Sequence, residues 1–319
     1  GSLSDWPPSP GARAASSKEG IMEYAYYPGC TLKQSAFPLD RQSRKVLQAL
    51  GHSLTEIRDW NCCGATSASK MDDFLEVAMP ARNIGIAESD GFSEMLIPCS
   101  ACYSKTVVSK ARLNSDQQLK QKINSELAHP VRGDIRVASI LDPLFDAARS
   151  GELEKRLQTG LNGVVAACYY GCMLTRFPLD VQLRDDVENP GFMETVLETA
   201  SGVTVDWDHK TSCCGASAAV CDRDAVLDLM GGIFSDALAR GANCLVTLCP
   251  VCQMNMDAYQ EQYCSLLGTS SRLPVLFITE LVGLALGLGY KELCLDRHFV
   301  DPEPLLREME RQKEAESTA

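Results

Sequence analysis

The sequence predicts an α/β protein made of two tandem, pseudo-symmetric modules, each a small domain built on a parallel sheet. Two observations support this prediction: short apolar runs alternate with helical patterns, and the second half repeats the cysteine motifs of the first. A chain of 319 residues is long enough for about two domains that each bury a core. We place the modules at 22–159 and 160–300, between a tail at 1–21 and a charged tail at 301–319.

Short apolar runs bounded by turn residues predict the strands, and apolar residues at helical spacing predict the helices. The first half has predicted strands at Glu23–Tyr27, Leu54–Ile57, Met95–Pro98 and Ile135–Ala138, and predicted helices at Leu39–Leu50 and Asp73–Glu88. The second half has predicted strands at Val164–Tyr169, Val203–Trp207, Leu245–Leu248 and Val275–Ile278, and predicted helices at Phe192–Ala200, Ala225–Arg240 and Val251–Leu267. Strands that alternate with helices form parallel sheets, whose ligands bind beyond the carboxyl ends of the strands.

The two ends of the chain differ in composition from the modules. Residues 1–21 are rich in Ser, Pro, Gly and Ala without any period, and Gly1-Ser2 resembles a cleavage scar before a native start at Met22. We therefore expect a tag or disordered tail there. The C-terminal tail is charged, and we expect a solvated or frayed helix.

The apolar stretch from Leu273 to Tyr290 is 18 residues long, which is nearly the length of a membrane span. It contains Glu280, and its first residues are β-branched and strand-like. We predict a buried strand followed by a core helix capped by Thr279, and no membrane span.

Charge and cysteine content narrow the class of protein. The net charge of −12 disfavours nucleic-acid binding, because phosphates would be repelled. Fifteen cysteines, an odd number that includes two adjacent pairs, fit a disulfide framework poorly. The sequence has no secretory signal pattern, so we predict a reduced, cytoplasmic metalloprotein.

Five cysteines recur in the same order in each half. The first set is Cys30, Cys62, Cys63, Cys99 and Cys102, and the second set is Cys172, Cys213, Cys214, Cys249 and Cys252. Around them, Tyr26-Tyr27-Pro28-Gly29-Cys30 returns as Cys168-Tyr169-Tyr170-Gly171-Cys172, and Phe37-Pro38-Leu39-Asp40 returns as Phe177-Pro178-Leu179-Asp180. A duplicated pattern of this kind predicts two equivalent metal sites.

The number of thiols in each set restricts the metal group. Zinc takes four thiolates and iron–sulfur clusters normally need four, so a fifth indicates an unusual cluster or a sulfur that faces substrate. Adjacent cysteines can reach one site only on a tight turn, which Gly64 and Gly215 permit. Each CxxC motif follows a strand and opens a helix, whose free N–H groups would stabilise anionic sulfur. A structural zinc site remains an alternative that metal analysis would decide.

The pattern Cx31CCGx34CxxC, repeated as Cx40CCGx33CxxC, resembles the duplicated CCG domain found in the B-type component of heterodisulfide reductase. The resemblance runs from Met22 to Leu306. It implies two CCG modules with Rossmann-like parallel sheets, each of which binds one non-cubane [4Fe–4S] cluster through its set of five cysteines.

The same resemblance implies an activity and partners. Proteins of this family reduce, or in reverse form, a disulfide of small thiols between the two clusters. Their electrons come from two other components of the same complex, a C-type protein with cubane iron–sulfur clusters and an A-type protein that contains flavin. The alternative is a non-catalytic electron-transfer and docking subunit of a quinone-linked or sulfur-oxidising complex, because CCG modules also resemble an anchor subunit of some succinate dehydrogenases.

A few residues outside the cysteine sets are weaker candidates. Lys33 and Arg176 follow the first cysteine of each set closely, and each is a candidate contact for an anionic substrate or a surface charge. His209 and His298 could each donate a proton to a thiolate, but we interpret both as surface or structural histidines.

Overall fold

The computed structural model describes residues 22–65, 67–178, 181 and 183–318. The tail predicted at 1–21 lies outside these residues, as do Leu179 and Asp180 of the second Phe-Pro-Leu-Asp motif. The predicted α/β class is confirmed. Two four-stranded parallel sheets, with strand orders β2-β1-β3-β4 and β6-β5-β7-β8, are flanked by helices.

The first half places its first strand beside both β2 and β3 in the sheet. Its elements are β1 (Glu23–Tyr26), α1 (Gly29–Leu32), α2 (Phe37–Ala49), β2 (Ser53–Glu56), α3 (Ala68–Met71), α4 (Asp73–Ser89), β3 (Glu94–Ile97), α5 (Ser100–Ser115), α6 (Gln117–Glu126), β4 (Arg136–Ser139), α7 (Leu141–Arg149) and α8 (Glu152–Arg156). The chain therefore reverses direction across the sheet between β1 and β3, which is the switch point where open α/β sheets bind ligands.

The second half repeats this topology. Its elements are β5 (Val165–Tyr169), α9 (Phe192–Thr199), β6 (Val203–Thr204), α10 (Arg223–Ala239), β7 (Cys244–Thr247), α11 (Pro250–Ala258), α12 (Gln260–Leu267), β8 (Val275–Phe277), α13 (Ile278–Ala285) and α14 (Glu303–Thr318). Short 3₁₀ turns occupy Cys172–Leu174, Ala216–Ala218 and Leu295–Arg297. All eight predicted strands are present, within a few residues of their predicted bounds.

Each half packs one of its helices against a helix of the other half. Helix α13 of the second half lies on α2 of the first, and α7 of the first lies on α9 of the second. One apolar cluster runs through this junction and includes Val46 and Leu144 as well as Leu197 and Leu281, all fully buried. The apolar side chains buried between the halves hold them in a fixed arrangement.

Two local predictions are wrong. The predicted helix Val251–Leu267 breaks at Tyr259, and the break brings the side chain of Gln260 to the backbone of Leu273, whose N–H donates to it at 3.1 Å. Thr279 does not cap α13. That helix begins at Ile278, and Glu280 accepts a hydrogen bond from the Phe277 N–H at 2.7 Å.

Helix α14 covers most of the predicted charged tail, and its first turn is packed against the protein. Leu305 is buried, and Leu306 and Met309 contact the apolar cluster between the halves, whereas later residues are exposed. The module boundaries near residues 159 and 300 stay predictions. No helix in the described part of the chain combines the length and apolar character that a membrane crossing requires.

Candidate metal centres

The first cysteine set collects at the carboxyl ends of β1 and β3. Cys30 follows β1, and its sulfur lies 3.7 Å from that of Cys62. The sulfur of Cys63 lies 3.2 Å from that of Cys102, and Cys102 also interacts with Cys99. All five thiols of the set are therefore brought to one place.

The second set repeats the arrangement at the carboxyl ends of β5 and β7. The sulfurs of Cys214 and Cys252 lie 3.4 Å apart, and Cys252 also interacts with Cys249. Cys172 lies beside Cys213. None of the fifteen cysteines, all of which the structure describes, forms a disulfide.

The adjacent cysteines lie on the tight turns that the sequence predicts. Gly64 and Gly215 have φ values of 74° and 75°, a left-handed conformation that glycine adopts without strain. The Gly64 N–H donates to the Cys62 sulfur at 3.4 Å, and the Gly215 N–H donates to the Cys213 sulfur at the same distance. An N–H that donates to sulfur favours negative charge on that sulfur when it binds a metal.

Each CxxC motif begins a helix, as predicted. Cys99 is the N-cap of α5 and Cys249 is the N-cap of α11, where the sulfur of Cys249 accepts from the Cys252 N–H at 3.5 Å. The amino end of a helix carries partial positive charge and free N–H groups. Both motifs are therefore placed where negative charge on sulfur is stabilised.

The thiols within each set differ in acidity. The neighbouring Cys102 thiol lowers the pKa of Cys63 to about 7. Burial raises the pKa of Cys62 to about 11, and hydrogen bonding to Cys63 raises that of Cys102. In the second set, the Cys252 thiol lowers the pKa of Cys249 to about 6, and burial raises that of Cys172 to about 12. Metal binding requires thiolates, so loading would release protons from the weaker acids.

One side of each set is open to solvent. Cys30 and Cys213 are exposed, and Cys62 and Cys172 are half-buried. The remaining thiols of both sets are buried. A group held by these sulfurs would be enclosed on the helix side and accessible on the other.

Two tyrosines that the sequence analysis did not single out hold the paired-cysteine turns. The Tyr27 hydroxyl donates to the carbonyl of Asn61 at 2.8 Å, and the Tyr169 hydroxyl donates to that of Ser212 at 2.6 Å. Asn61 and Ser212 directly precede the cysteine pairs. The signal was present in the repeat, because the two tyrosines occupy equivalent positions.

Trp60 and Trp207 pack beside these tyrosines. Their rings lie 5.6 and 6.3 Å from the rings of Tyr27 and Tyr169. The Trp207 ring also donates to the carbonyl of Cys168 at 3.1 Å. Both indoles therefore brace the tyrosines that fix the cysteine turns.

The two candidate substrate contacts have different surroundings. The Lys33 ammonium lies 2.8 Å from the Glu56 carboxylate, which also pairs with Arg44 at 2.6 Å. Arg176 donates its backbone N–H to the Cys172 carbonyl at 2.9 Å, and its side chain is exposed. Arg176 is therefore the more available cation beside a cysteine set.

The two histidines are held by carboxylates. His209 lies 3.1 Å from Asp236 at the surface. His298 is buried between Glu280 and Asp257, with distances of 2.9 and 3.4 Å. Among the cysteines outside the two sets, Cys221 is exposed and the other four are buried.

The two sets approach each other where α5 meets the second half. Helix α5 packs against the 3₁₀ turn Cys172–Leu174, and Tyr103 of α5 makes an edge-on ring contact with Phe177 at 6.4 Å. Ser100, which follows Cys99, lies beside Cys249 of the second set. The helix start of one module thus borders the sulfurs of the other.

The donor set fits an iron–sulfur group better than an oxygen-liganded metal. Each set offers five thiols in a partly buried site with N–H donors directed at sulfur, which suits soft, thiolate-bound metals. Within the described ranges, no group of three or more Cys, His, Asp or Glu side chains has the arrangement of a site for a single metal ion.

Comparison with known proteins identifies relatives over most of the chain. The sequence profile of the CCG cysteine-rich domain matches residues 24–105 and 166–257. The chain is 34% identical over 286 residues to the 8-methylmenaquinol:fumarate reductase membrane anchor subunit of Wolinella succinogenes, covering 89% of this chain and 99% of that one. It is 27% identical to the B subunit of the ferredoxin:CoB-CoM heterodisulfide reductase of Methanosarcina mazei, covering 85% of this chain and 92% of that one.

One solved structure has a similar fold. It is the crystal structure of a hypothetical protein from Helicobacter pylori, with a TM-score of 0.68 and 12% sequence identity. The match covers 89% of this chain and 52% of that one, so this chain spans about half of the longer protein. At this identity the match supports the fold alone.

Proposed function

The chain belongs to the CCG cysteine-rich domain family, and from that premise we propose that it is the iron–sulfur subunit of a cytoplasmic, heterodisulfide reductase-type complex. In this proposal it reduces, or in reverse forms, a disulfide of small thiols between two non-cubane [4Fe–4S] clusters. Each cluster is held by one set of five cysteines. The named relatives are subunits of reductases, which supports a role in a complex.

The observation that carries the proposal is the meeting of two complete cysteine sets across one module junction. Cleavage of a disulfide consumes two electrons and two protons and yields two thiols. Two such clusters, when bound, supply the two electrons, one from each. Two electron sources would then lie on either side of one substrate, and the contact of α5 with the Cys172 turn supports this arrangement.

The protein's own residues would hold the metal groups and orient the substrate. Buried thiols on the helix side would enclose each group, whereas the exposed Cys30 and Cys213 would leave the other side accessible to a small molecule. Tyr27 and Tyr169 fix the paired-cysteine turns. The exposed Arg176 side chain is suited to an anionic group of the substrate. Electrons would arrive from two partner proteins of the same complex, one with cubane iron–sulfur clusters and one with flavin.

The experiment begins with anaerobically purified protein. We expect about eight irons per chain, and a new EPR signal when thiol is added to the oxidised sample. The activity test is disulfide-dependent oxidation of a reduced viologen dye. Cys63→Ala and Cys214→Ala each disable one set, and each variant should lose about half of the iron and nearly all of the activity. Retention of half the activity in either variant would contradict the two-site mechanism.

A second candidate rests on the similarity to the Wolinella succinogenes anchor subunit, because that identity is higher and covers nearly the whole relative. In this alternative the chain is a non-catalytic electron-transfer and docking subunit of a quinone-linked or sulfur-oxidising complex. It would bind both clusters and titrate reversibly, but it would reduce no disulfide and give no new signal with thiol. The same measurements therefore separate the two candidates.

A further inference from the structure

A cavity of about 240 Å³ lies at the junction of the halves, where α2 begins. The first half contributes residues 35–38 to its wall, and the second half contributes one face of α11 and residues 297–299. The cavity is smaller than the roughly 300–1,000 Å³ of sites for drug-sized ligands, so it suits a smaller molecule. None of the ten cysteines of the two sets, all of which the structure describes, lines it. It is therefore separate from the two candidate metal centres.

Three exposed apolar side chains form what we call the rim of this cavity. Phe37 of α2, Met254 of α11 and Phe299 all line it and are 43%, 42% and 65% exposed. They come from three segments that are far apart in the sequence. Single exposed apolar residues are ordinary, but several gathered at one opening are typical of a binding site.

Arg297 adds a positive charge to the rim. Its side chain is exposed, and its guanidinium carbon lies 5.7 Å from the centre of the Phe37 ring. The guanidinium forms no ion pair with any residue in the described part of the chain. In a protein with a net charge of −12, an exposed arginine without a carboxylate partner is available to an external anion.

The carboxylates that line the cavity are already engaged. Glu280 and Asp257 are both 1% exposed and lie 2.9 and 3.4 Å from the ring nitrogens of His298. Asp257 also accepts hydrogen bonds from the backbone N–H groups of Phe299 and Val300, at 2.8 and 3.2 Å. The favourable place for an anion is therefore the rim, beside the arginine, and not the buried end of the cavity.

The equivalent junction between α5 and the second half is closed. Tyr103 of α5 contacts the ring of Phe177 there, and the space that remains is about 40 Å³. The repeat places Gln253 where α5 has Tyr103, and Phe37 where the second half has Phe177. One junction of this fold thus packs closely while the other stays open. The open cavity is a feature of this sequence and not a requirement of the fold.

We propose that the cavity binds a small organic anion with an apolar body, of the class of medium-chain carboxylates. The anionic group pairs with Arg297, and the apolar body packs against the rim. The charge of the arginine favours this occupant over an uncharged one, and the apolar rim favours it over an inorganic anion. This inference goes beyond the proposed function, because no member of either cysteine set lines the cavity.

The test is isothermal titration calorimetry of the anaerobically purified protein with octanoate. We expect one octanoate bound per chain. Acetate lacks the apolar body and octanol lacks the charge, so each should bind about tenfold more weakly or worse. Arg297→Ala should weaken octanoate binding about tenfold, and Arg297→Lys should recover part of the loss. Met254→Trp, which fills the rim, should also weaken it about tenfold.

Two exposed residues that do not line the cavity provide matched controls. Arg149→Ala removes an exposed arginine of α7, and Leu229→Trp enlarges an exposed apolar side chain of α10. Both variants should bind octanoate as tightly as the unmodified protein. Unchanged affinity in Arg297→Ala, or octanol bound as tightly as octanoate, would overturn this inference. Either result, in protein with full iron content and disulfide activity, leaves the proposed function standing.

Kinetics with reduced viologen distinguishes two sources of the anion. Competitive inhibition of disulfide reduction by octanoate would show that an arm of the disulfide occupies the cavity. Octanoate binding without a change in KM would show that a separate small molecule does. Both results uphold the site. Calorimetry requires no turnover, so it tests the cavity even in a protein without disulfide activity.

Discussion

The imidazole Nε2 of His298 lies 2.9 Å from a carboxylate oxygen of Glu280, and both side chains are buried. The other ring nitrogen lies 3.4 Å from Asp257. The same Glu280 oxygen accepts a hydrogen bond from the Gln42 amide of α2 at 2.9 Å. This polar network therefore joins the second half to the first at their packed junction, where an unpaired charge would be costly.

The network predicts that stability falls as pH rises. Burial lowers the pKa of His298, but Glu280 and Asp257 outweigh burial and raise it from 6.5 to about 10. The folded protein thus holds a proton that the unfolded chain releases near pH 6.5, and the resulting stability is lost between pH 6.5 and 10. His298→Gln should lower Tm by roughly 5–10 °C at pH 6.5 and by much less near pH 9.5.

Thermal unfolding of both proteins by circular dichroism across this pH range measures the difference. Taking the difference between the two proteins cancels other groups that titrate in the same range. Glu280→Gln removes one of the two carboxylates and should give a smaller pH dependence than the unmodified protein. Tm curves that run parallel for the unmodified protein and His298→Gln would show that the imidazole is not charged in the folded state.

The local features of this fold could be predicted from the sequence. Strand positions follow from short apolar runs. The equivalence of the two cysteine sets follows from the repeat, in which Tyr27 and Tyr169 occupy matching positions. Helices α2 and α4 were also predicted, and the buried residues of α2 recur at helical spacing. The start of α5 was predicted from its CxxC motif, but its length was not, because the helix is rich in Ser, Thr and Val and is stabilised by packing against α4.

Contacts between residues distant in sequence could not be predicted. Gln42 and Glu280 are separated by 238 positions, and no periodicity connects them. The same holds for Ser100 and Cys249, which become neighbours only when the modules pack. The break at Tyr259 depends on where Leu273 lies in space. Each of these features is decided by tertiary packing, which a local pattern does not encode.

Gly29 should be required for iron binding at the first site and not at the second. It has a φ of 72°, and a Cβ atom added there would lie 2.7 Å from the Cys102 sulfur, much closer than contact allows. We expect Gly29→Ala to displace Cys102 and to lose about half of the iron, measured by mass spectrometry of anaerobic protein.

Gly91→Ala is the control for backbone strain. Gly91 has a φ of 87° but nothing within 4 Å of an added Cβ, so it carries the conformational cost of about 1–2 kcal/mol without the clash. This variant should lose stability and keep its full iron content. Equal iron loss in both variants would attribute the effect at Gly29 to strain rather than to the approach of sulfur.

The hydroxyl groups of Tyr27 and Tyr169, which hold the paired-cysteine turns, should slow the release of metal from each module. Tyr27→Phe and Tyr169→Phe each remove one hydroxyl that holds the carbonyl before a cysteine pair. Loss of one such hydrogen bond costs about 1 kcal/mol, and outer contacts of this kind typically change metal affinity by roughly tenfold or more. We expect faster iron release to a chelator from one module in each variant. The exposed Tyr259 serves as control, and Tyr259→Phe should release iron at the unmodified rate.

The two cations near the cysteine sets should contribute unequally to binding of an anionic disulfide. Arg176 presents an exposed guanidinium four residues after Cys172, whereas the Lys33 ammonium is already paired with Glu56 at 2.8 Å. Because a paired charge attracts a further anion weakly, Arg176→Ala should raise KM for an anionic disulfide about 3–10-fold with kcat little changed, and Lys33→Ala should leave KM within about twofold. Steady-state kinetics with reduced viologen measures both, and Arg176→Lys should recover part of the loss. An unchanged KM in Arg176→Ala would exclude this residue from substrate binding, and a larger effect in Lys33→Ala would place the anion beside the first site instead.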